Sequence, residues 1–387
     1  MTEQFIRLPT FVIAVLLSAV ALTGMQSNSY AGMFDSVETD NSVARLTVTL
    51  DEEHQIDVLA FSPDGKYLMA APYYYSTTAH IWDWKNDKRL ASPFQNKKVD
   101  PQIRNAIQYS SDGHAIAWCG YRTPIWKIDN AEELFVSEHE PKIGLCQAIE
   151  FFPDGKSVAI VLSSYPGDIS TLAVRNASTG QLLWELSSKG FYPQSMAVSP
   201  DAQFIAIGGS FYDRDIGVKH EQIHIVDAER HVIVRTIEVV PSVTLASHVN
   251  TAGSIEQIAW SSDSIQIAAG LRGVPSDGAD AVKIFDAASG ALVTSEAGPM
   301  GTEVRGLCYT SDGKYLVELG IGKTVKIWDG KHTKLLQEIS AKPAACAVSK
   351  DGHHLALGGG APSLSNINPL LSLMFPGKGR ILIYKFR

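Results

Sequence analysis

Positive charge, cysteine and long apolar runs are all scarce in this sequence, and each scarcity excludes a class of protein. Lys and Arg number 33 against 41 Asp and Glu, so the 387-residue chain has a formal net charge of −8. Without an excess of positive charge the chain has no general attraction for phosphate backbones, and we expect no nucleic-acid partner. Four cysteines without a Cys-x-x-Cys pair exclude a disulfide-built miniprotein and a cysteine-rich zinc site.

The one pronounced apolar run lies near the N-terminus. It spans Phe11 to Thr23, follows the basic residue Arg7, and precedes the small residues of Ser29-Tyr30-Ala31. This layout predicts a secretory signal peptide over residues 1–31, cleaved after Ala31, and hence a secreted or periplasmic protein. A transmembrane helix needs about 20 apolar residues. An uncleaved N-terminal membrane anchor is the alternative, and only then would we expect contact with a membrane.

The rest of the chain repeats one unit. An apolar stretch that ends in a turn of the Ser-x-Asp-Gly type, followed by a second apolar stretch, occurs seven times. The aspartates of the turns are Asp64, Asp112, Asp154, Asp201, Asp263, Asp312 and Asp351. Such self-similarity is the signature of a repeat architecture, and the Asp-Gly turns indicate hairpins.

Alternation before each turn predicts strands that are covered on both faces. Large apolar residues stand five and three positions before the aspartate, as Leu59 and Phe61 do in the first unit. The position between them is small in most units, for example Ala60, so we expect another sheet to approach closely on that side. Third strands end in Ile81-Trp82-Asp83 and Ile327-Trp328-Asp329.

The sequence resembles the WD-repeat β-propeller family through FSPDG at 61–65 and the two Trp-Asp pairs, Trp82-Asp83 and Trp328-Asp329. The resemblance implies an all-β, seven-bladed β-propeller with four antiparallel strands per blade. The Gly-His dipeptide of the family is missing, so we expect its buried His-Asp hydrogen-bond network to be absent.

The two chain ends predict how the ring closes. The last unit stops after its third strand, whereas the alternating segment Val43 to Leu50 precedes the first unit without a partner. Pairing of this segment into the last blade would complete seven four-stranded sheets. We therefore expect a signal peptide over 1–31, a short linker over 32–42 and one propeller over 43–387.

Insertions fall on one face of the predicted ring. The expanded connections are Pro72 to Thr78, Tyr165 to Asp168, Ser210 to Gln222, Val240 to Ile255, Leu271 to Asp280 and Gly358 to Gly379. Tyrosine, arginine and large apolar residues in them are typical of recognition surfaces. The candidate partner-binding residues are Tyr73, Tyr74, Tyr75, Tyr121, Arg122, Tyr165, Phe211, Tyr212, Arg214, Arg272, Leu370, Leu371, Met374 and Phe375. Two alternatives stay open: the tyrosines fill gaps between loops, or Pro369 to Pro376 folds back into the channel mouth.

Patterns that look catalytic do not fit this register. His220-Glu221-Gln222-Ile223-His224 matches the zinc-protease pattern, which needs a helix, but the repeat places it at a third strand. Asp213 to Gly217 is only a fragment of a calcium loop, and no Gly-x-Ser-x-Gly motif occurs. We therefore predict no enzyme, no cofactor and no resident metal.

The cysteines divide into two pairs. Cys119 ends a second strand and Cys146 comes just before the next first strand, so both approach the same face between adjacent blades and a disulfide between them is possible. Cys308 and Cys346 lie on equivalent strands of neighbouring blades, four and five positions before the turn aspartate, so their side chains should face opposite ways. We expect these two to be free and buried.

These observations together predict an extracytoplasmic scaffold that binds a protein or peptide partner through its loop-rich face. The alternative is a propeller enzyme or small-ligand binder, similar to a lactonase or hydrolase, that uses the channel mouth. Fold alone does not choose between these functions.

Overall fold

The structure is a computed structural model. It describes residues 42–53, 55–71, 79–90, 107–119, 122–128, 132–138, 145–163, 169–213, 215, 217–244, 253–273, 279–298, 303–320, 324–341, 343–360 and 379–387. These residues form 28 strands in seven antiparallel sheets of four. In the described part of the chain the one helical element is a 3-10 turn, Trp84–Asn86, and no helix there is long and apolar enough to cross a membrane.

Each sheet is one blade, with its strands in chain order. Blades one to three comprise β2 (Val58–Phe61), β3 (Tyr67–Ala71), β4 (His80–Asp83) and β5 (Lys88–Leu90); β6 (Ile107–Tyr109), β7 (Ala115–Trp118), β8 (Arg122–Lys127) and β9 (Glu133–Glu138); and β10 (Leu145–Phe151), β11 (Ser157–Ser163), β12 (Ile169–Asn176) and β13 (Leu182–Lys189). Blade four comprises β14 (Phe191–Val198), β15 (Phe204–Asp213), β16 (Val218–Asp227) and β17 (Val232–Thr244).

The remaining blades repeat the plan. Blades five and six comprise β18 (Ser254–Trp260), β19 (Gln266–Arg272), β20 (Ala279–Asp286) and β21 (Leu292–Gly298); and β22 (Val304–Tyr309), β23 (Tyr315–Gly320), β24 (Thr324–Asp329) and β25 (Leu335–Ser340). Blade seven comprises β26 (Pro343–Val348), β27 (His354–Gly360), β28 (Gly379–Phe386) and β1 (Ala44–Glu52).

The ring is closed by the N-terminal strand, as the sequence predicts. β1 pairs antiparallel with β28, with Ala44 opposite Phe386 and Glu52 opposite Gly379. The first strands of consecutive blades contact one another around the channel, and β2 of blade one contacts β26 of blade seven. Because the two chain ends share one sheet, the closed ring protects the edges that an open array would expose.

The hairpin turns are held by a repeated hydrogen-bond pattern. In the first, Ser62 Oγ donates to Asp64 Oδ1 at 2.6 Å and accepts from the Tyr67 amide at 2.9 Å, while the Lys66 amide donates to Asp64 Oδ1 at 3.0 Å. Blade three has Phe152 at the serine position and keeps only the bond from the Lys156 amide to Asp154. The serine and aspartate of the repeat therefore fix the turn that joins the first two strands.

Buried side chains fill the gaps between blades. The large residues before each turn face the preceding blade, as Ile258 and Trp260 do, whereas the small residue between such positions faces the next blade, as Ala197 does. These three residues meet in one cluster, and the Trp260 indole Nε1 donates to the Ala197 carbonyl at 2.9 Å. The small position predicted from the sequence is thus where neighbouring sheets approach.

This packing rule corrects the expectation for Cys308 and Cys346, because the structure pairs the two sulfur atoms and leaves neither thiol free. Cys308 occupies the small position of blade six and faces blade seven, and Cys346 occupies a large position of blade seven and faces blade six. The two side chains point towards each other because each faces the neighbouring blade that carries the other. Both are half-buried rather than buried.

Candidate partner-binding face

Blade four extends past its neighbours at one end of the ring. We call this end, where second strands finish and third strands begin, the loop face, and the end with the Asp-Gly turns the turn face. β15 and β16 have 10 residues each, against 7 and 8 in the second and third strands of blades three and five, and the outer strand β17 has 13, against 8 in β13 and 7 in β21. The segment from Ser210 to Gln222, predicted as a loop, is mostly a hairpin with Asp213 opposite Val218. At about 3.3 Å per residue, the extra length carries side chains outward from the ring.

Aromatic residues cover this extension. Tyr212 packs edge-on against Tyr192 with ring centroids 5.1 Å apart, and the Lys219 ammonium lies 6.0 Å from the Tyr212 ring centroid. Phe211 packs against the ring of His220 at 6.2 Å. All five side chains are half-buried, so each offers part of its surface to solvent. We call these residues the blade-four patch.

A buried carboxylate holds the patch in place. Glu221 accepts from the Ser210 hydroxyl at 2.8 Å and from the Ile255 amide of blade five at 3.2 Å, and forms an ion pair with Lys219 at 2.6 Å. Lys219 also donates to the Ser254 hydroxyl at 3.0 Å. Burial and the negative charge of Glu221 raise the pKa of Tyr212. The aromatic rings are thus presented on a rigid, cross-braced support.

Arg272 lies at the same end of the ring. It ends β19 opposite Ser254, the residue that accepts from Lys219. Its guanidinium forms an ion pair with Glu256 at 2.8 Å, and its backbone bridges to Glu303 of the next blade. Lys219 and Ser254 therefore connect Tyr212 with Arg272 at the loop face. The Arg272 charge is already balanced by Glu256.

The channel contains a cavity of about 330 Å³ lined by the first strands of blades two to six. Its polar lining includes Gln108, Gln147, Gln194 and Gln257, together with Glu150. The Val198 amide donates to Glu150 Oε2 at 2.9 Å, and burial raises the pKa of Glu150 to about 7. Glu150 is not among the predicted site residues, although it occupies a position that is small in most units. A glutamate in place of the usual small residue is the sequence feature that indicates this site.

Comparison with known proteins identifies the repeat. The family model described as WD domain, G-beta repeat matches residues 45–83. That span runs from the outer strand of blade seven, through the closure, to the Trp82-Asp83 end of the third strand in blade one. The seven-bladed ring and this match agree. The matched repeat and the seven-bladed ring together support a WD-repeat β-propeller. No curated protein matches it.

This WD-repeat propeller has a buried carboxylate network where the sequence led us to expect no His-Asp network. Glu52, at the end of β1, accepts from the Trp82 indole Nε1 at 2.6 Å and is 2.8 Å from His80 Nδ1. The acid is a glutamate from the segment before blade one, and the imidazole comes from the third strand. The repeat lacks the Gly-His dipeptide, yet a carboxylate and an imidazole still meet here, supplied by different positions of the chain.

The zinc-protease pattern of the WD-repeat chain lies on a strand, as its register predicts. His220 pairs with Phe211 and His224 pairs with Ile207 within one ladder, so this segment is not a helix. The His224 ring stacks on Phe191 at 4.1 Å, and burial lowers the pKa of His224 to about 4. His224 is therefore a neutral packing residue.

Several predicted contact residues of the propeller lie outside the described residues. These are Tyr73, Tyr74, Tyr75, Tyr121, Tyr165, Arg214, Leu370, Leu371, Met374 and Phe375. Arg122 begins β8 at the loop face. Cys119 and Cys146 are fully buried in the cluster between blades two and three, with Cα atoms 5.5 Å apart and their sulfur atoms paired.

Proposed function

We propose that this WD-repeat propeller is a non-enzymatic scaffold that binds a protein or peptide partner outside the cytoplasm. WD-repeat propellers commonly serve as interaction scaffolds. The partner contacts the loop face, with the blade-four patch at the centre of the interface. The observation that carries the proposal is the extension of blade four, which presents Tyr192, Phe211 and Tyr212 beyond the ring.

The chemistry of the patch supports protein recognition. Tyrosine and phenylalanine bury large areas with few rotatable bonds, so ordering them on binding costs little entropy. Glu221 and Lys219 already brace the support through Ser210, Ser254 and the Ile255 amide. A surface that is ordered before binding loses less free energy on association than a mobile loop.

A photo-crosslinking experiment tests the face directly. p-Benzoylphenylalanine replaces Tyr212 on the loop face or, as a matched control, Tyr67, a 38% exposed tyrosine at the turn face. Irradiation in cells should link one protein to position 212 and nothing comparable to position 67. Equal products at both positions, or products only at 67, would contradict binding through the loop face.

Location outside the cytoplasm is supported by the signal-peptide pattern of residues 1–31 and by two cysteine pairs. N-terminal sequencing of protein purified from the extracytoplasmic fraction should begin at Gly32. A chain that retains Met1 in the cytoplasmic fraction would contradict this location, and one that retains Met1 in the membrane fraction would support the anchored alternative.

The channel supports a second candidate, the binding of a small polar ligand. Its volume of about 330 Å³ is in the range of small-molecule sites, and four glutamine amides with one carboxyl group offer both donors and acceptors. Calorimetric titration with free amino acids and monosaccharides tests it. Binding that Glu150→Gln weakens would favour this function, and no heat with any of these probes would argue against it.

A further inference from the structure

A polar cluster away from the loop face has no role in the proposed function. Glu296 of β21 in blade five meets Glu318 of β23 and His332 of the turn after β24 in blade six. One candidate ligand atom from each residue lies within 4.8 Å of the other two. We propose that these three side chains form a binding site for a divalent transition-metal ion of the zinc type, which joins blades five and six.

His332 provides the observation that points to a ligand. Its side chain is only 1% exposed, yet neither ring nitrogen has a hydrogen-bond partner in the described structure. Its Nε2 lies 3.8 Å from Glu296 Oε2, an oxygen that also lacks a hydrogen bond there. Buried polar atoms without partners are rare because each costs desolvation free energy, and an ion is one of the standard explanations.

The turn around His332 aims the ring inward. The His332 amide donates to the Asp329 carbonyl at 2.8 Å, and the Asp329 carboxylate accepts from the amide and hydroxyl of Thr333, both at 2.6 Å. The imidazole packs against Trp328 with ring centroids 4.4 Å apart. A neutral imidazole held in this position offers a ring-nitrogen lone pair to a metal.

The two carboxylates are incompletely neutralised by the protein. Lys326 donates to Glu296 and lies 3.8 Å from Glu318 Oε1, so one ammonium serves two acids. A divalent cation would neutralise both carboxylates. Two carboxylate oxygens and one imidazole nitrogen are a donor set that zinc accepts, with a water completing the coordination.

Lys326 is the internal competitor of the metal. Its stem is long and its side chain is 25% exposed, so the ammonium can withdraw. Glu338 stands directly opposite Lys326 in the ladder between β24 and β25, and its charge attracts the ammonium. Metal binding would therefore replace the Lys326 ammonium at Glu296 and Glu318, and Lys326 would keep Glu338 as its partner.

Blade four offers a matched position without the acids. His231 occupies the corresponding turn, with φ of 59° against 55° for His332, and its ring stacks on Trp184 at 4.5 Å. Leu186 and Ile207 stand at the ladder positions that correspond to Glu296 and Glu318. His231 is exposed, whereas His332, which has two carboxylates beside it, is buried.

Zinc titration of purified, untagged, chelator-treated protein tests the site, with a chromophoric chelator as competitor and thermal unfolding as the second readout. We expect one equivalent of Zn²⁺ and a rise in Tm that EDTA reverses. His332→Ala and Glu296→Gln should each weaken binding by about tenfold or more, as loss of even a supporting partner does in metal sites. His231→Ala, the matched control, should bind as the wild type does.

Lys326→Met keeps the proposal testable even where the ligand variants unfold. Removal of the competing ammonium should tighten zinc binding, whereas a purely structural salt-bridge network would only lose stability. Three results would overturn the site: no stoichiometric binding by the wild type, binding that His332→Ala and Glu296→Gln leave unchanged, or binding that Lys326→Met weakens.

Discussion

The carboxylate of Glu52 contacts Nδ1 of His80 at 2.8 Å, and this contact joins the outer strand of blade seven to the third strand of blade one. The two residues lie on either side of the ring closure, and both are buried. Glu52 also accepts from the Trp82 indole. The end of the closing strand is therefore fixed to the first blade by polar contacts as well as by packing.

Removal of the Glu52 carboxylate should destabilise the closure. Glu52→Ala leaves the buried His80 and Trp82 donors without an acceptor, at a cost of about 2 to 4 kcal/mol in the free energy of unfolding. Glu52→Gln keeps one acceptor oxygen and should lose less. Urea unfolding measures both. Wild-type stability in Glu52→Ala would show that the network does not hold the ring.

Glu150 should make stability fall as pH rises. Its folded pKa of about 7 lies above the ordinary value of 4.5. Between these values the folded protein holds a proton that the unfolded chain has released, so raising the pH weakens folding. Relative to Glu150→Gln, the wild type should lose about 2 to 4 kcal/mol between pH 4.5 and 7.5. A pH-independent difference in urea unfolding would contradict the raised pKa of this carboxyl group.

The cysteine pairs should differ in their accessibility to a reductant. Cys119 and Cys146 are fully buried, whereas Cys308 and Cys346 are half-buried. Because thiol exchange requires access to sulfur, mild reduction followed by alkylation and peptide mapping should label Cys308 and Cys346 first. Earlier labelling of Cys119 and Cys146 would contradict the packing between blades two and three.

Loss of the pair between blades two and three should also lower stability. Cys119 and Cys146 are 27 residues apart in sequence. Closing a loop of that length stabilises the folded state by about 3.5 kcal/mol in the chain-entropy model. Cys119→Ser should therefore reduce the free energy of unfolding by roughly this amount under oxidising conditions. Under reducing conditions the variant and the wild type should converge, and a persistent gap would assign the loss to packing instead.

Gly209 should tolerate no side chain beneath the blade-four patch. A Cβ at this position would lie 2.8 Å from Pro193 Cα and even closer to the Tyr192 carbonyl oxygen, so the backbone of β14 would have to move. Gly209→Ala should cost about 1 to 3 kcal/mol, the usual cost of overpacking. Gly65→Ala is a spatial control, since nothing lies near its Cβ, although its positive φ adds some strain. Equal stability of Gly209→Ala and the wild type would contradict this close approach.

Local signals allowed most of the fold to be predicted. The turn aspartates and the alternation before each of them predicted the register of the blades, and the unpaired Val43 to Leu50 predicted the closure that β1 makes. The blade-four hairpin was missed because polar residues such as Lys219 and His220 hide its alternation. Its strand character depends on pairing with β15 and β17.

Side-chain partners between blades could not be predicted from spacing within one blade. Cys308 of blade six faces blade seven, and Cys346 of blade seven faces blade six. Side chains that point in opposite directions within their own sheets therefore meet between the two blades. Glu296, Glu318 and His332 come from two strands and one turn of two blades, so no local motif signals them. Glu52 and His80 also belong to different blades and meet across the ring closure, so spacing within one blade does not predict their contact.

The affinity of the captured partner for two tyrosine variants tests the account most directly. Once crosslinking has identified the partner, its Kd is measured for wild type, Tyr212→Ala and Tyr67→Ala. A central aromatic contact costs about 2 kcal/mol when truncated, so Tyr212→Ala should weaken binding at least about tenfold while Tyr67→Ala leaves the Kd unchanged. An unchanged Kd for Tyr212→Ala, or an equal loss in both variants, would contradict recognition through the blade-four patch.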